Sequence, residues 1–304
     1  MKKVSGKRRK RLDGVQAISL LICIFAVIIS LYPIYYVFIM SISNPIEAAK
    51  GVYFLPKKIF LGGYKMILGD SELWRGLRNT LIYVVTITIG MLVVCFMMSY
   101  SLSRTNMKGR KLVVIYLLIP MYFGGGLIPG YLNMVQLGLN NTMFAIILPS
   151  LCSISHIILI TTYLRSLPKE LEEAAFVDGA SHWSVMRKVC LPLAKPVLAV
   201  VSIYQIVGEW NSWFPAMVYL SNFKLHPIQI YLRRILVEQT NYIANLLERS
   251  DFTAEDMERA VMATMSSRQL RYAVIMVVTI PIVCVYPIFQ RYFVKGVMMG
   301  SLKG

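Results

Sequence analysis

The sequence predicts an all-α polytopic membrane protein: six transmembrane helices, with a cytoplasmic two-helix loop between spans four and five. Three observations carry this prediction. Of 304 residues, 57% are apolar and 15% charged, against about 45–50% and roughly 25% in soluble domains. One soluble core cannot hide that excess, and disorder fails because it needs low hydrophobicity. Six segments reach the about 20 consecutive apolar residues that a helix needs to cross a bilayer: 15–41, 79–103, 112–132, 143–164, 196–220 and 272–290. The basic residues, finally, are divided unequally by the alternation that these spans impose.

The first span follows a basic lead, Lys2-Lys3 and Lys7-Arg8-Arg9-Lys10-Arg11. Its apolar run is well beyond the about 7–15 residues of a signal-peptide core and ends without a small-x-small cleavage site, so it reads as a retained anchor. The third span is the least regular. Pro120 and the run Phe123-Gly124-Gly125-Gly126-Leu127-Ile128-Pro129-Gly130 are expected to end or break its helix near the far face.

Orientation follows Lys and Arg. Residues 1–14, 104–111, 165–195 and 291–304 hold 19 of the 32 basic residues; the opposite side holds the other 13 in much longer loops. Both termini are therefore expected in the cytoplasm. The net charge of +17 is a positive-inside signature, and no nucleic-acid partner is needed to explain it.

Enzyme chemistry finds no foothold. The five cysteines form no C-x-x-C pair and no metal-like cluster with the three histidines. There is no H-E-x-x-H, no G-x-S-x-G and no G-x-x-x-x-G-K-[ST] phosphate loop. The chain is expected to bind no cofactor itself, and energy for any transport has to come from a partner.

The loop 165–195 is long for a cytoplasmic connection, and its composition is ordered. Pro168 suits a first helical turn, and Glu170, Glu172 and Glu173 follow where the helix dipole favours carboxylates. Leu171, Ala174, Ala175 and Val177 form an apolar stripe, and Asp178-Gly179 stops the helix with Gly in the left-handed position. Ser181 caps a second helix that runs through Val189 and is ended by Leu191-Pro192. On these residues alone the hairpin either lies on the membrane surface or packs into a partner's groove. The small alanines favour the groove.

Glu173-Ala174-Ala175, Gly179 after three residues, then nine residues and Val189-Cys190-Leu191-Pro192 resembles the E-A-A-x(3)-G-x(9)-I-x-L-P loop of ABC-importer permeases, with Val for Ile as the one departure. The six-span layout, the basic N-terminus and the ending Tyr286–Gly304 are similar to carbohydrate-uptake permeases of the maltose/oligosaccharide type, in the branch handling complex saccharides. The resemblance implies a type I importer in the bacterial cytoplasmic membrane. It would comprise this chain, a second homologous permease, two ATP-binding subunits that hold ATP and Mg, and an extracellular substrate-binding protein delivering an oligosaccharide. Residues 1–14 would be the cytoplasmic N-terminus, 15–290 the permease domain and 291–304 a cytoplasmic tail reaching the ATPase. Glu173, Ala174, Ala175 and Gly179, with Asp178, Leu191 and Pro192, would couple the chain to the ATPase. A stand-alone secondary transporter or channel is the alternative; the absence of paired intramembrane ionisable residues and of an internal repeat argues against it.

Glu209 is the one acidic residue inside a span, and a carboxylate there normally faces a cavity or a partner. With Trp210, Asn211 and Trp213 it supplies the hydrogen-bonding and stacking groups that sugars require. Helical spacing puts Glu209 and Trp213 on one face with Trp210 about 100° away. The aromatic residues also fit an interfacial belt, and Glu209 a contact between helices or with the second permease. Tyr122, beside the Gly-rich run, is a further candidate for the substrate path, as part of an outer gate. In the extracellular segment 221–271, Thr253 and Asp256 open a capping-box-like helix with Met257, Val261 and Met265 on one face.

Overall fold

Every regular element among the described residues is helical, apart from one isolated antiparallel bridge between Ser43 and Ile59. The computed structural model describes residues 14–51, 54–247, 268–285 and 287. The basic N-terminal lead, the helix expected from Thr253 and the tail 291–304 lie outside them. In chain order the helices are α1 (Gly14–Ile42), α2 (Pro45–Ala49), α3 (Gly62–Gly69), α4 (Ser71–Ser103), α5 (Arg110–Tyr122), α6 (Leu127–Gln136) and α7 (Phe144–Ser150). There follow α8 (Ile154–Ser166), α9 (Glu170–Val177), α10 (His182–Leu193), α11 (Lys195–Trp210), α12 (Phe214–Tyr219), α13 (Ile228–Leu247) and α14 (Arg268–Val285).

Among these, α1, α4, α14 and the stretch Phe144–Ser166 are long and apolar enough to cross a membrane. Two pairs reach that length only together: α5 with α6 across a 115° bend, and α10 with α11 across a 74° bend. Among the described residues, four helices are therefore long and apolar enough to cross, or up to six if each bent pair is one span. Helix α1 leaves its apolar length exposed and buries only Ile39, Met40 and Ser41 at its C-terminal end. An all-round apolar helix with nothing over it belongs in lipid.

Three expectations about the spans are refined. The third span does break, at 123–126, where Gly126 takes φ +86°; Pro120 itself is carried inside α5, which ends at Tyr122. The fourth is two helices, α7 and α8, with Ser153 capping the second through the His156 amide at 3.5 Å. The fifth does not run straight from 196 to 220. Asn211 closes α11, its side-chain amide donating to the Val207 carbonyl at 2.8 Å, and Pro215 opens α12.

By internal packing the chain forms two units, residues 1–67 with 241–276, and residues 68–240 with 277–304. In the first, Ile39, Met40 and Ala48 make a small core against which Tyr36 and Tyr272 pack. Buried Gln269 ties this unit together: its amide donates to the carbonyls of Ser43 at 3.1 Å and Phe60 at 2.6 Å, with Ser41 at 3.4 Å. Substituting Gln269→Leu leaves those carbonyls short of a donor. It is expected to lower stability by about 1–3 kcal/mol, read as a lower thermal midpoint of the detergent-solubilised chain, while Gln269→Glu is expected to be worse.

In the second unit α4 packs against α8 and α11. Met91, Cys95 and Phe96 of α4, Ile157 and Ile160 of α8, and Val197 and Val201 of α11 share one core, which continues through Val185, Met186 and Cys190 of α10. The other end of α4 grips the chain after α12. Asn79 donates to the carbonyls of Lys224 at 2.7 Å and His226 at 3.0 Å, Tyr83 to that of Leu225 at 2.9 Å, and Thr80 accepts from the Ile228 amide at 2.9 Å. At 33 residues α4 is about 50 Å long. It exceeds the bilayer core, so one helix can anchor structure at both membrane faces.

Candidate functional site

The segment 165–195 folds as a rigid elbow. Helix α9 opens on Glu170, Glu172 and Glu173 in its first turn, against the free amides and positive end of the helix. It closes in a Schellman motif: Gly179, at φ +79°, donates to the Phe176 carbonyl at 3.0 Å, and Ala180 to that of Ala175 at 3.0 Å. Ser181 then accepts from the Ser184 amide at 3.3 Å and starts α10. The left-handed Gly179 and the Ser181 cap stand where the spacing predicts them.

Two expectations about this loop are corrected. Ala175 is not on the outer stripe. It packs inward with Phe176 against the core, because neighbouring positions on a helix lie about 100° apart. The exposed apolar face is Leu171, Ala174 and Val177, flanked by exposed Glu173, Asp178 and Trp183. Nor does Leu191-Pro192 end the second helix at Val189. Residues Met186–Cys190 widen into a π turn, with the Leu191 amide bonded to the Met186 carbonyl, and the helix runs on through Pro192, which has no N–H to offer. The helix ends at Leu193, and the chain bends at Ala194 into α11, whose first turn contains Pro196.

What holds the elbow is a polar cluster that spacing does not disclose. Glu172 faces inward and forms a two-pronged ion pair with Arg104, the residue that closes α4; one prong is 2.9 Å. The side chains are 14% and 21% exposed, so the pair is mostly out of water. The Cys190 thiol donates to the same carboxylate at 3.4 Å. The guanidinium stacks on the Tyr100 ring with 4.2 Å to the centroid, and the Tyr100 hydroxyl donates to the His182 carbonyl at 3.1 Å. One carboxylate thus ties α9, α10 and the C-terminal end of α4 together. The only sequence signal was an acidic residue in a first helical turn, which dipole arguments already explain.

The expected substrate-path residues do not form one surface. Glu209 stands beside Thr80, Tyr83, Ile146 and Ser212 at a small recess. Trp210 is 3% exposed and its indole N–H donates to the Val278 carbonyl at 3.2 Å, so it packs α11 against α14 and has no free ring face. Asn211 is a C-cap. Trp213 lies past the end of α11, outside the helical spacing that paired it with Glu209, and the Arg233 guanidinium covers its ring at 4.1 Å. Tyr122 is exposed at the end of α5. Glu209 is half-buried, and its carboxylate accepts no hydrogen bond among the described residues.

Several helices of membrane-crossing length, joined through a compact helical elbow, define an all-helical membrane protein. The chain belongs to the family described as "Binding-protein-dependent transport system inner membrane component", which residues 81–299 match. It is similar to Protein LplC of Bacillus subtilis, 34% identical over 91% of this chain and 90% of that protein. It is also similar to the polygalacturonan/rhamnogalacturonan transport system permease protein YtcP of the same organism, 30% identical over 84% and 86%. Among solved structures, a bacterial ABC transporter involved in import of the acidic polysaccharide alginate superposes with a TM-score of 0.79, at 32% identity over 96% of this chain and 100% of that one. The chain is a transport permease, inserted in a membrane through several helices.

Proposed function

We propose that the chain is one of two homologous permease subunits of an ATP-driven importer, and that its cargo is an oligosaccharide or complex glycan delivered by an extracellular binding protein. The cargo class is supported by YtcP and by the alginate importer. The observation that carries the partner assignment is the elbow: an exposed face of Leu171, Ala174 and Val177, backed by a rigid left-handed corner and an ion pair to α4. Small residues between larger apolar ones suit the groove of a soluble ATP-binding subunit. Rigid attachment lets groove closure move α4 and α11 as a body. On this reading both bent pairs are spans, the six-span arrangement places both termini in the cytoplasm, and ATP with Mg belongs to the two partner subunits. The test is purification from the native membrane in mild detergent with mass spectrometry of what stays bound. A P-loop ATPase and a second permease are expected; a chain recovered alone, or bound only to itself, rejects the proposal.

Glu209 is the group we assign to the substrate path. Losing a charge-assisted hydrogen bond to a sugar hydroxyl is worth about 1.5–3 kcal/mol, so Glu209→Gln is expected to raise the KM for uptake roughly tenfold or more. Unchanged affinity and rate would return Glu209 to helix packing.

A further inference from the structure

Helices α5 and α8 each carry an apolar face that ends in an arginine at the same end. On α5 the series is Arg110, Val114, Leu117 and Leu118; on α8 it is Arg165, Thr161 and Ile158. Between them runs a largely apolar, open cleft of about 150 Å³, room for roughly six carbons of hydrocarbon. Arg110 and Arg165 also line a second, more polar cavity of about 560 Å³ below it, together with Lys169 and Glu173. Glu172 and Arg104, which line that cavity too, neutralise each other. The remaining side chains leave an excess of positive charge where the cleft meets the cavity.

Two further features point to a ligand with a phosphate and an ester. Arg110 opens α5 after a Gly109 that gives no side-chain cap, so the first amides of that helix are also unclaimed by a cap, and Arg110 has no ion pair or hydrogen bond among the described residues. Inside the cleft, Thr161 is 8% exposed and its hydroxyl has no partner among the described residues; the acceptor one turn away, the Ile157 carbonyl, is already taken by Ser99 at 3.0 Å. A buried hydroxyl without a partner costs about 1–3 kcal/mol. It stands one helical turn from Arg165, about 6 Å along the axis, the separation of a lipid's ester from its phosphate.

We propose that this cleft binds one anionic phospholipid of the cytoplasmic leaflet, with its phosphate between Arg110 and Arg165, an ester carbonyl on Thr161, and an acyl chain against Val114, Leu117, Leu118 and Ile158. The headgroup would then sit beside the Arg104–Glu172 pair that fixes the elbow, which puts lipid charge next to the coupling machinery. The proposal rests on the cytoplasmic placement of residues 104–110 for the choice of leaflet, but binding itself can be read without transport.

The test is native mass spectrometry of the full chain with whatever subunits accompany it, in detergent, titrated with palmitoyl-oleoyl phosphatidylglycerol or the matched phosphatidylcholine. The wild type is expected to retain phosphatidylglycerol about tenfold better. Arg110→Gln should remove that preference, and Thr161→Val, which keeps shape, should weaken both lipids. Val114→Trp, filling the cleft, should abolish retention. Equal retention of both lipids by the wild type overturns the proposal, as does an undiminished preference in Arg110→Gln. Displacement by millimolar glycerol phosphate would show a free-phosphate site and also overturn it. So would crosslinking of Val114→Cys to another subunit without lipid, which assigns the cleft to an interface. None of these readouts depends on the cargo, so their failure is distinct from failure of the importer assignment.

Discussion

Glu172→Gln is expected to reduce uptake by at least an order of magnitude while the chain still inserts at its normal level. The reason lies in what the substitution leaves behind. Arg104 stays mostly buried against Tyr100 with its counter-charge gone, and breaking a buried pair from one side costs about 3–5 kcal/mol when burial is complete. With 14% and 21% of these side chains exposed, the cost is about 2–3 kcal/mol. That shifts the ratio of attached to detached elbow by a factor of roughly 30 or more; if the elbow is the proposed coupling element, a detached one cannot pass an ATP-binding subunit's motion to α4. Two measurements separate this from general unfolding. Limited trypsin digestion should cut at exposed Lys169, Arg187 and Lys188 faster in the variant, whereas the thermal midpoint of the membrane helices moves little. Exchanging the charges, Arg104→Glu with Glu172→Arg, should recover part of the uptake lost by either single change. Uptake by Glu172→Gln at the wild-type level, or no rescue by the exchange, would reduce the pair to a passive contact.

The pairing of Glu172 with Arg104 was not legible in the sequence, and the contrast with what was legible is physical. Hydropathy reports transfer into lipid, so it locates the apolar lengths of α1 and α4 and the start of α14 to within a few residues at most ends. The N-terminal end of α4 is the exception: it begins at Ser71, capped by Asp70 through the Glu72 amide at 2.8 Å, well before the apolar run begins. Local backbone chemistry was equally readable: Gly179 and Ser181 act through neighbours a few residues away. Interactions between distant segments have no periodicity to betray them. Arg104 meets Glu172 across 68 positions, and Asn79 meets Lys224 across 145. The same limit undid the pairing of Glu209 with Trp213, since a helical wheel holds only while the helix continues and α11 stops at Trp210. Pro192 misled for a related reason: proline forbids one hydrogen bond, and a π turn can be built so that the bond is not needed.

Substitutions at Gly179 are expected to reduce uptake in the order Asn, Ala, Val, with Asn the mildest although it is larger than Ala. The order follows from backbone strain. Gly179 holds φ +79°, and a Cβ added there meets nothing within 4 Å in this chain, so side-chain crowding within the chain contributes nothing. The left-handed region costs an L-residue roughly 1–2 kcal/mol, is visited readily by Asn, and is worst for β-branched residues. Ala should therefore weaken the corner by about 1 kcal/mol or more, a fivefold or larger shift in the population of the closed Schellman turn, and Val by more. If the corner instead matters because an ATP-binding subunit presses against Gly179 itself, the order follows volume, and Asn is worse than Ala. Uptake by the three variants, normalised to membrane levels, distinguishes the two. Wild-type uptake by all three would remove the elbow from the transport cycle, since a turn that tolerates Val at a left-handed position is not being held rigid.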